Sequence, residues 1–474
     1  MMRFSRRDFL KSAAAMAALV STTAARPAIC RELGSAEKLN VAWVGVGGQA
    51  RTTLASMTHE NFYAMADVCA KNLALSADKY QCGKRFADYR QMLEELEGDI
   101  DAVVVSTPDH THAPASLMAM RMGKHCYCEK PLTHDLAEAR EMQKVAAEKK
   151  LVTQMGTQPN AWENYRTVVE MISSGVIGNV SEVHVWTGTG NTDGYIQSLG
   201  ADPKIAIPRG NGWGQPSDQT LPTAEEIPSC LNWDLWVGTA QKCPYNRMYV
   251  PGNWRRWWAF GNGQLGDFGC HFMNLPFWCL NLKDPLTVET VGPKVNPFAC
   301  PEYLKVKYTF AARECQRQIA GVDDANYKIK FPACTLTWYD GNDMSEVQEV
   351  LKKHGVDNLG AGILFVGEKG CLLANYTLHK LFPVDNFADY KMPEQFIPRT
   401  KSHYIEFTEA IRANDPNKSL CNFAYAGKLT EAVLLGNVTY RAGGKLNWDA
   451  ANLKSDNDLA NALIAPAYRE GWNR

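Results

Sequence analysis

The chain of 474 residues has almost no excess of charge of either sign: 50 lysines and arginines face 51 aspartates and glutamates, a formal net charge of -1. That balance removes the electrostatic case for nucleic acid or an anionic membrane surface as a partner. The apolar run Ala13 to Val20 is too short to span a bilayer, which takes about 20 residues. No Cys/His cluster has the spacing of zinc ligands, so no metal is expected. Internal repeats and low-complexity tracts are absent. The 14 cysteines are scattered along a long chain, the pattern of core thiols and not of a disulfide framework.

What is present begins with Ser5-Arg6-Arg7-Asp8-Phe9-Leu10-Lys11, followed by the short apolar run and the small residues Thr23-Ala24-Ala25. Residues 1–30 therefore read as a cleavable twin-arginine signal, which carries folded proteins out of the cytoplasm. The expected location is the periplasm or another exported compartment, with no membrane span after cleavage.

From residue 39 to 154 apolar strands alternate with helices, and the unbroken β-branched run Ala102 to Ser106 suits a strand buried on both faces. The rhythm predicts an α/β fold, with a doubly wound parallel Rossmann sheet over residues 38–156. After Gly156 the rhythm breaks. Residues 157–474 read as an α+β domain with an open, mostly antiparallel sheet, and the segment 187–263 is rich in Gly, Pro, Trp and Tyr.

Gly45-Val46-Gly47-Gly48-Gln49-Ala50 stands directly between a strand and a helix. Gly45 permits the tight turn, Gly47 lets backbone approach a pyrophosphate, and small Ala50 allows close helix–strand packing. The phosphates would sit at the helix N-terminus, where free N–H groups favour anions. Asp67 follows where a ribose-binding carboxylate belongs, and an acid there favours NAD over NADP. Thr107 and Pro108 end the next buried strand, at the carboxyl edge where such sheets bind ligands. His110 and His112 come next, and His112 is a candidate for cofactor contact.

At Glu129-Lys130-Pro131 the chain resembles the Gfo/Idh/MocA oxidoreductases, named for glucose–fructose oxidoreductase and inositol dehydrogenase. The resemblance runs over residues 38 to 450. It includes Trp254-Arg255-Arg256-Trp257-Trp258, Gly266-Asp267-Phe268-Gly269-Cys270-His271 and Leu446-Asn447-Trp448-Asp449. It implies a Rossmann domain with NAD, an open-faced sheet domain, sugars or cyclitols as substrates, and a homo-oligomer formed through the open sheet face. On the residues themselves, Lys130 ends a parallel strand and points into the cofactor cleft. There it could polarise a substrate hydroxyl or share its proton during hydride loss. Glu129 is expected to orient Lys130 or bind a ribose hydroxyl, and Pro131 to carry a cis bond.

Gly263 to Leu280 reads as one helix, kinked near its end by Pro276. Asp267, His271, Asn274 and Trp278 form one stripe of it, facing the substrate. Asp267 and His271 lie one turn apart and can act on one substrate ring. The family often has an acid where this chain has Asn274, so Asn274 is expected to hydrogen-bond while Lys130 and His271 handle protons. Flat aromatic faces suit pyranose C–H faces and arginines suit hydroxyls, which makes Trp258 and Arg255 candidates for substrate contact.

An exported enzyme has no external NAD pool, so its cofactor should be tightly bound and restored in every turnover. Redox-neutral glycoside hydrolysis through a 3-keto intermediate, which the resemblance makes available, meets that demand. A two-sugar oxidoreductase meets it too. Simple dehydrogenation needs an external acceptor, and a sugar-binding or sensory protein on the same scaffold remains a non-enzymatic alternative.

Overall fold

The computed structural model describes residues 37–188, 213–319, 322–341, 344–356 and 360–472. The twin-arginine run, and residues 189–212 of the aromatic-rich segment, lie outside the described residues.

The first half is β1 (Asn40–Val44), α1 (Ala50–Ser56), β2 (Asn61–Ala66), α2 (Ala70–Lys79), β3 (Lys84–Phe86), α3 (Tyr89–Glu95), β4 (Ala102–Val105), α4 (Asp109–Arg121), β5 (His125–Glu129), α5 (Leu136–Lys149) and β6 (Thr153–Gly156). The strands form one parallel sheet in the order β3-β2-β1-β4-β5-β6. Every residue of β4 is buried, as a parallel strand covered on both faces requires. Side chains of β1 alternate between two cores, Ala42 and Val44 in one and Val41 and Trp43 in the other. Helix α5 opens on a reciprocal cap: Asp135 accepts from the Glu138 N–H, and Glu138 accepts from the Asp135 N–H.

The second half continues with α6 (Glu163–Ser173), β7 (Val180–Thr187), α7 (Trp233–Val237), α8 (Gly263–Phe272), α9 (Asn274–Cys279), β8 (Thr287–Val291), β9 (Leu304–Phe310), β10 (Arg313–Ile319), β11 (Val322–Phe331), β12 (Cys334–Asp340), α10 (Ser345–Lys353), β13 (Ala361–Gly367), β14 (Gly370–Ala374), β15 (His379–Phe382), α11 (His403–Arg412), α12 (Phe423–Arg441), β16 (Lys445–Asp449), β17 (Lys454–Ser455) and α13 (Asp458–Ile464). Nine strands form a second sheet, β15-β14-β13-β7-β12-β9-β8-β16-β17, antiparallel throughout except for the β7–β12 pair. Strands β10 and β11 pair with each other alone. Among the described residues no helix is long and apolar enough to cross a membrane.

Two details depart from the sequence reading. The segment 263–280 is two helices broken at Met273, not one helix kinked near its end. The cause is Pro276: it has no N–H to give the Phe272 carbonyl four residues earlier, so α8 stops at Phe272. The chain also returns from the second sheet to the first. Tyr404, Phe407, Ala410 and Ile411 of α11 complete the core under Val41, Trp43 and Tyr127.

Candidate active site

A cavity of about 700 Å³ opens along the carboxyl ends of β1, β2 and β4. The glycine turn (Gly45, Gly47, Gly48, Gln49), Asp67, Thr107 and Pro108 form one wall. Gly45 has φ +81°, and a Cβ there would meet the Ser106 carbonyl oxygen at 2.7 Å. A Cβ on Gly47 would come within 2.5 Å of the Asn72 side chain. Only glycine leaves this turn in place with its N–H groups open to an anion. The Asp67 carboxylate accepts from the Val46 N–H at 2.9 Å and the Cys69 N–H at 2.8 Å. Burial pushes its carboxyl above the usual value while these bonds oppose the rise. The Gly47 N–H adds a third backbone donor, and the remaining lone pair of the carboxylate is left for a ribose hydroxyl. The volume, glycine turn and carboxylate together fit a dinucleotide.

The opposite wall comes from the second half of the chain: Glu225, Cys230, Leu231, Trp236, Val250, Trp254 and Arg255, with Trp472 at the end. This segment is held by a core of its own, in which Trp233, Trp236, Tyr245, Tyr249, Trp254, Trp257 and Phe260 pack together. Trp233 and Trp236 stack at 4.7 Å. Arg469 secures it from outside, donating to the Asp234 carboxylate at 2.7 Å.

Next to this cavity, β5 and α8 bring Lys130 and Asp267 together. The Lys130 ammonium donates to the Asp267 carbonyl at 2.8 Å and to its carboxylate. Arg255 Nε donates to the same carboxylate at 3.1 Å, and the Trp213 indole N–H donates to its other oxygen. Arg255 lies over the rings of Trp254 at 4.2 Å and Trp213 at 4.9 Å. Burial alone would push the Asp267 carboxyl up, but Lys130 and Arg255 outweigh it and hold it well below the usual carboxylate range. Asp267 is therefore ionised, with donors on both carboxylate oxygens, and it holds Lys130 in place. The Lys130–Pro131 peptide is cis.

His271 sits one turn further along α8. Burial, helped by Lys130, lowers its imidazole to about 3, so the ring is neutral. Its Nδ1 is buried without a partner among the described residues. Asn274, beyond the helix break, turns into the interior. The Tyr425 hydroxyl donates to its side-chain oxygen at 2.7 Å, and its Nδ2 is buried and unpartnered among the described residues.

Other expected contacts lie elsewhere. Trp258 is in the main core: its indole N–H donates to the Asn296 carbonyl at 3.1 Å, and Arg441 lies over its face at 4.9 Å. Glu129 points away from the cavity toward Thr53, whose hydroxyl donates to it at 3.1 Å, and burial raises its carboxyl to about 7. His112 is buried with its ring nitrogens 2.8 Å from the Thr107 carbonyl and 2.7 Å from the Pro131 carbonyl. It ties the loop after β4 to the loop after β5. Ala50 is fully buried under the glycine turn, where its small side chain permits the close packing.

Two residues of the site escaped the sequence reading. Trp213 was one ring among many in an irregular segment, and nothing local marks it. Asp109 had a signal: it follows Thr107-Pro108 at the carboxyl edge of the sheet. It is buried and accepts from the Asn262 side chain at 3.2 Å. Burial, opposed by Arg255 and reinforced by Asp267, raises its carboxyl to about 7.

Comparison with known proteins places this geometry. The Gfo/Idh/MocA family models match twice: "Oxidoreductase family, NAD-binding Rossmann fold" over residues 39–157, and "Oxidoreductase family, C-terminal alpha/beta domain" over residues 207–336, together just over half of the chain. The chain is 41% identical over 88 residues to 1,5-anhydro-D-fructose reductase of Ensifer adhaerens, a match covering 18% of this chain and 26% of the reductase. It thus spans about a quarter of that relative's length. Two solved structures share the fold over most of both chains. One is the WlbA dehydrogenase of Bordetella pertussis in complex with NADH and UDP-GlcNAcA (TM-score 0.55, 13% identity, 87% of this chain and 99% of that one). The other is an inositol dehydrogenase homolog of Azotobacter vinelandii complexed with NADH and myo-inositol (TM-score 0.54, 15% identity, 87% and 98%).

Proposed function

The chain belongs to the Gfo/Idh/MocA oxidoreductases, and from that premise we propose that it acts on a sugar or glycoside with a tightly held NAD recycled within each turnover. The observation that carries this reading is the pair of walls that line the cavity: the glycine turn and Asp67 on one side, the segment around Cys230 to Arg255 and Trp472 on the other. A dinucleotide walled on both sides leaves slowly. The Asp67 carboxylate on the cavity wall favours a free ribose hydroxyl and thus NAD over NADP.

When bound, a nicotinamide supplies a hydride acceptor that can also give the hydride back. The chain supplies the rest. Lys130, fixed by Asp267, donates to the oxygen on the reacting carbon. Neutral His271 accepts the hydrogen bond of that hydroxyl. Arg255 belongs to both the cavity wall and the Lys130–Asp267 cluster, and so sets the reacting carbon against the cofactor. Redox-neutral glycoside hydrolysis is the reaction we favour. A transient ketone at C3 acidifies the hydrogen at C2, the C1 substituent departs and water takes its place, with no net oxidation. The twin-arginine run at Ser5 to Lys11 supports export to the periplasm, where such closed redox chemistry is needed. Assembly as a homo-oligomer through the second sheet is part of the same reading.

The test uses the purified protein without added cofactor against a panel of chromogenic glycosides, following aglycone and NADH absorbance together. Many turnovers of aglycone without net NADH are expected. A single-turnover NADH burst, relieved by a second sugar, would replace hydrolysis with a two-sugar oxidoreduction. Neither signal from any sugar would remove the reading.

A further inference from the structure

Cys69 and Cys230 are 161 residues apart in sequence, yet their sulfurs lie 3.9 Å apart. Cys69 follows Asp67 by two residues on the first wall of the cavity, and Cys230 belongs to the opposite wall. Backbone hydrogen bonds fix the two chain segments on either side of the pair. The Ala70 N–H donates to the Cys230 carbonyl at 2.8 Å, and the Asn232 N–H donates to the Val68 carbonyl at 2.9 Å. Both residues are half-buried free thiols that line the cavity. Most of the other cysteines are buried in the cores, as the scattered spacing led one to expect. Two thiols 3.9 Å apart on neighbouring, hydrogen-bonded backbones stand about 2 Å from the S–S bond length of about 2.05 Å.

We propose that Cys69 and Cys230 form a disulfide that joins the two walls and locks the dinucleotide in its cavity. The inference rests on the reading of that cavity as the dinucleotide site. The oxidant is a small-molecule disulfide such as glutathione disulfide. One cysteine thiolate attacks it, forming a mixed disulfide and releasing one thiol. The second cysteine then displaces the other thiol. In sum two S–H bonds break and one S–S bond forms within the chain, and the two electrons and two protons leave on two thiol molecules. Burial pushes the Cys69 thiol up, so the exchange is slow at neutral pH and quickens as the medium becomes alkaline. A covalent bond that keeps the two walls from parting slows entry and exit together. The oxidised protein therefore retains NAD it already holds and refuses NAD it lacks.

The experiment loads the full-length protein with fluorescent etheno-NAD, treats it with glutathione disulfide at about pH 8.5, and chases with excess NAD. Peptides are mapped under non-reducing conditions in parallel. The expected result is a linked peptide pair containing Cys69 and Cys230, and exchange slowed by at least about tenfold. Dithiothreitol should restore the original rate, and Cys69→Ser or Cys230→Ser should each abolish the linked pair and the redox response. Absence of the linked pair overturns the proposal, as does a linked protein that exchanges as fast as the reduced one. If the reduced protein binds no etheno-NAD at all, the dinucleotide reading of the cavity fails and the locking role falls with it. The peptide map decides in that case whether the disulfide itself forms.

Discussion

Lys130 and Asp267, 137 residues apart in sequence, form a buried ion pair in which the lysine ammonium reaches both the carboxylate and the backbone carbonyl of the aspartate. Lys130 directly follows β5 and Asp267 lies on the second turn of α8, so the pair staples the two halves of the chain beside the cavity. A lysine held this way keeps its donor hydrogens aimed at one spot, which is what hydride transfer to or from a neighbouring carbon requires.

Lys130→Ala is expected to abolish turnover, a loss of about 10³-fold or more, while NAD remains bound. Asp267→Asn keeps the shape but removes the charge that holds Lys130, and its kcat should fall by about 10²-fold with NAD retention unchanged. Steady-state kinetics with cofactor occupancy read from absorbance would check both. Wild-type turnover in Lys130→Ala would remove the lysine from the mechanism.

Asp67→Ala should loosen the cofactor. The carboxylate is the acceptor for the Val46 and Cys69 N–H groups as well as the candidate ribose contact. Its loss therefore disturbs the glycine turn and leaves two donors unpaired, a cost of about 1–3 kcal/mol each where buried. NAD affinity measured by calorimetry should drop by about 10²-fold. Full occupancy in the purified variant would argue against the ribose role.

The sheet of the first half was legible in the sequence because its strands are short apolar runs with no alternative use, Ala102–Val105 above all. The glycine turn was legible for a related reason: the backbone at Gly45 has a positive φ and lies against the Ser106 carbonyl, a place that only glycine fills without strain. The helix break at Met273 was half legible. Pro276 announced a fault, but its effect falls on the carbonyl four residues earlier. What stayed hidden depends on contacts between distant parts of the chain. Trp258 and Trp213 look alike in sequence, yet one satisfies its N–H on Asn296 in the core and the other on Asp267 in the site. Nothing near Cys69 points to Cys230, because the loop that brings them together is set by the packing of Trp233, Trp236 and Phe260.

Trp213→Phe separates stacking from hydrogen bonding. Phenylalanine keeps an aromatic face for Arg255 but cannot donate to the Asp267 carboxylate. A hydrogen bond to a charged group contributes about 1.5–3 kcal/mol, so kcat/KM should fall roughly tenfold or more. The NAD exchange rate should stay near that of the wild type. An unchanged kcat/KM would mean that Lys130 and Arg255 alone position Asp267.

Asp109 fixes the expected pH dependence. Its carboxyl titrates at about 7 because burial, opposed by Arg255 and reinforced by Asp267, disfavours its charge. His271 stands near 3 and Asp267 lies well below the usual carboxylate range, so neither changes state near neutrality. As pH rises through 7, Asp109 loses its proton and adds a negative charge beside Lys130 and Arg255. Oxidation of a hydroxyl releases one proton, which ionised Asp109 can take up and protonated Asp109 cannot, so kcat/KM in the oxidation direction should rise with pH and level off above about 8. Asp109→Asn should remove this share of the rise; what remains in the variant belongs to Glu129, whose carboxyl also stands at about 7 on the Thr53 side, and Glu129→Gln should remove it. The variant is what separates the two cases: a histidine base with an ordinary value would give a rise of the same sign with its inflection near 6.5, and that inflection would survive in Asp109→Asn. Persistence of the wild-type profile in the variant would assign the titration to another group, and a flat wild-type profile would mean that Asp109 keeps its proton throughout.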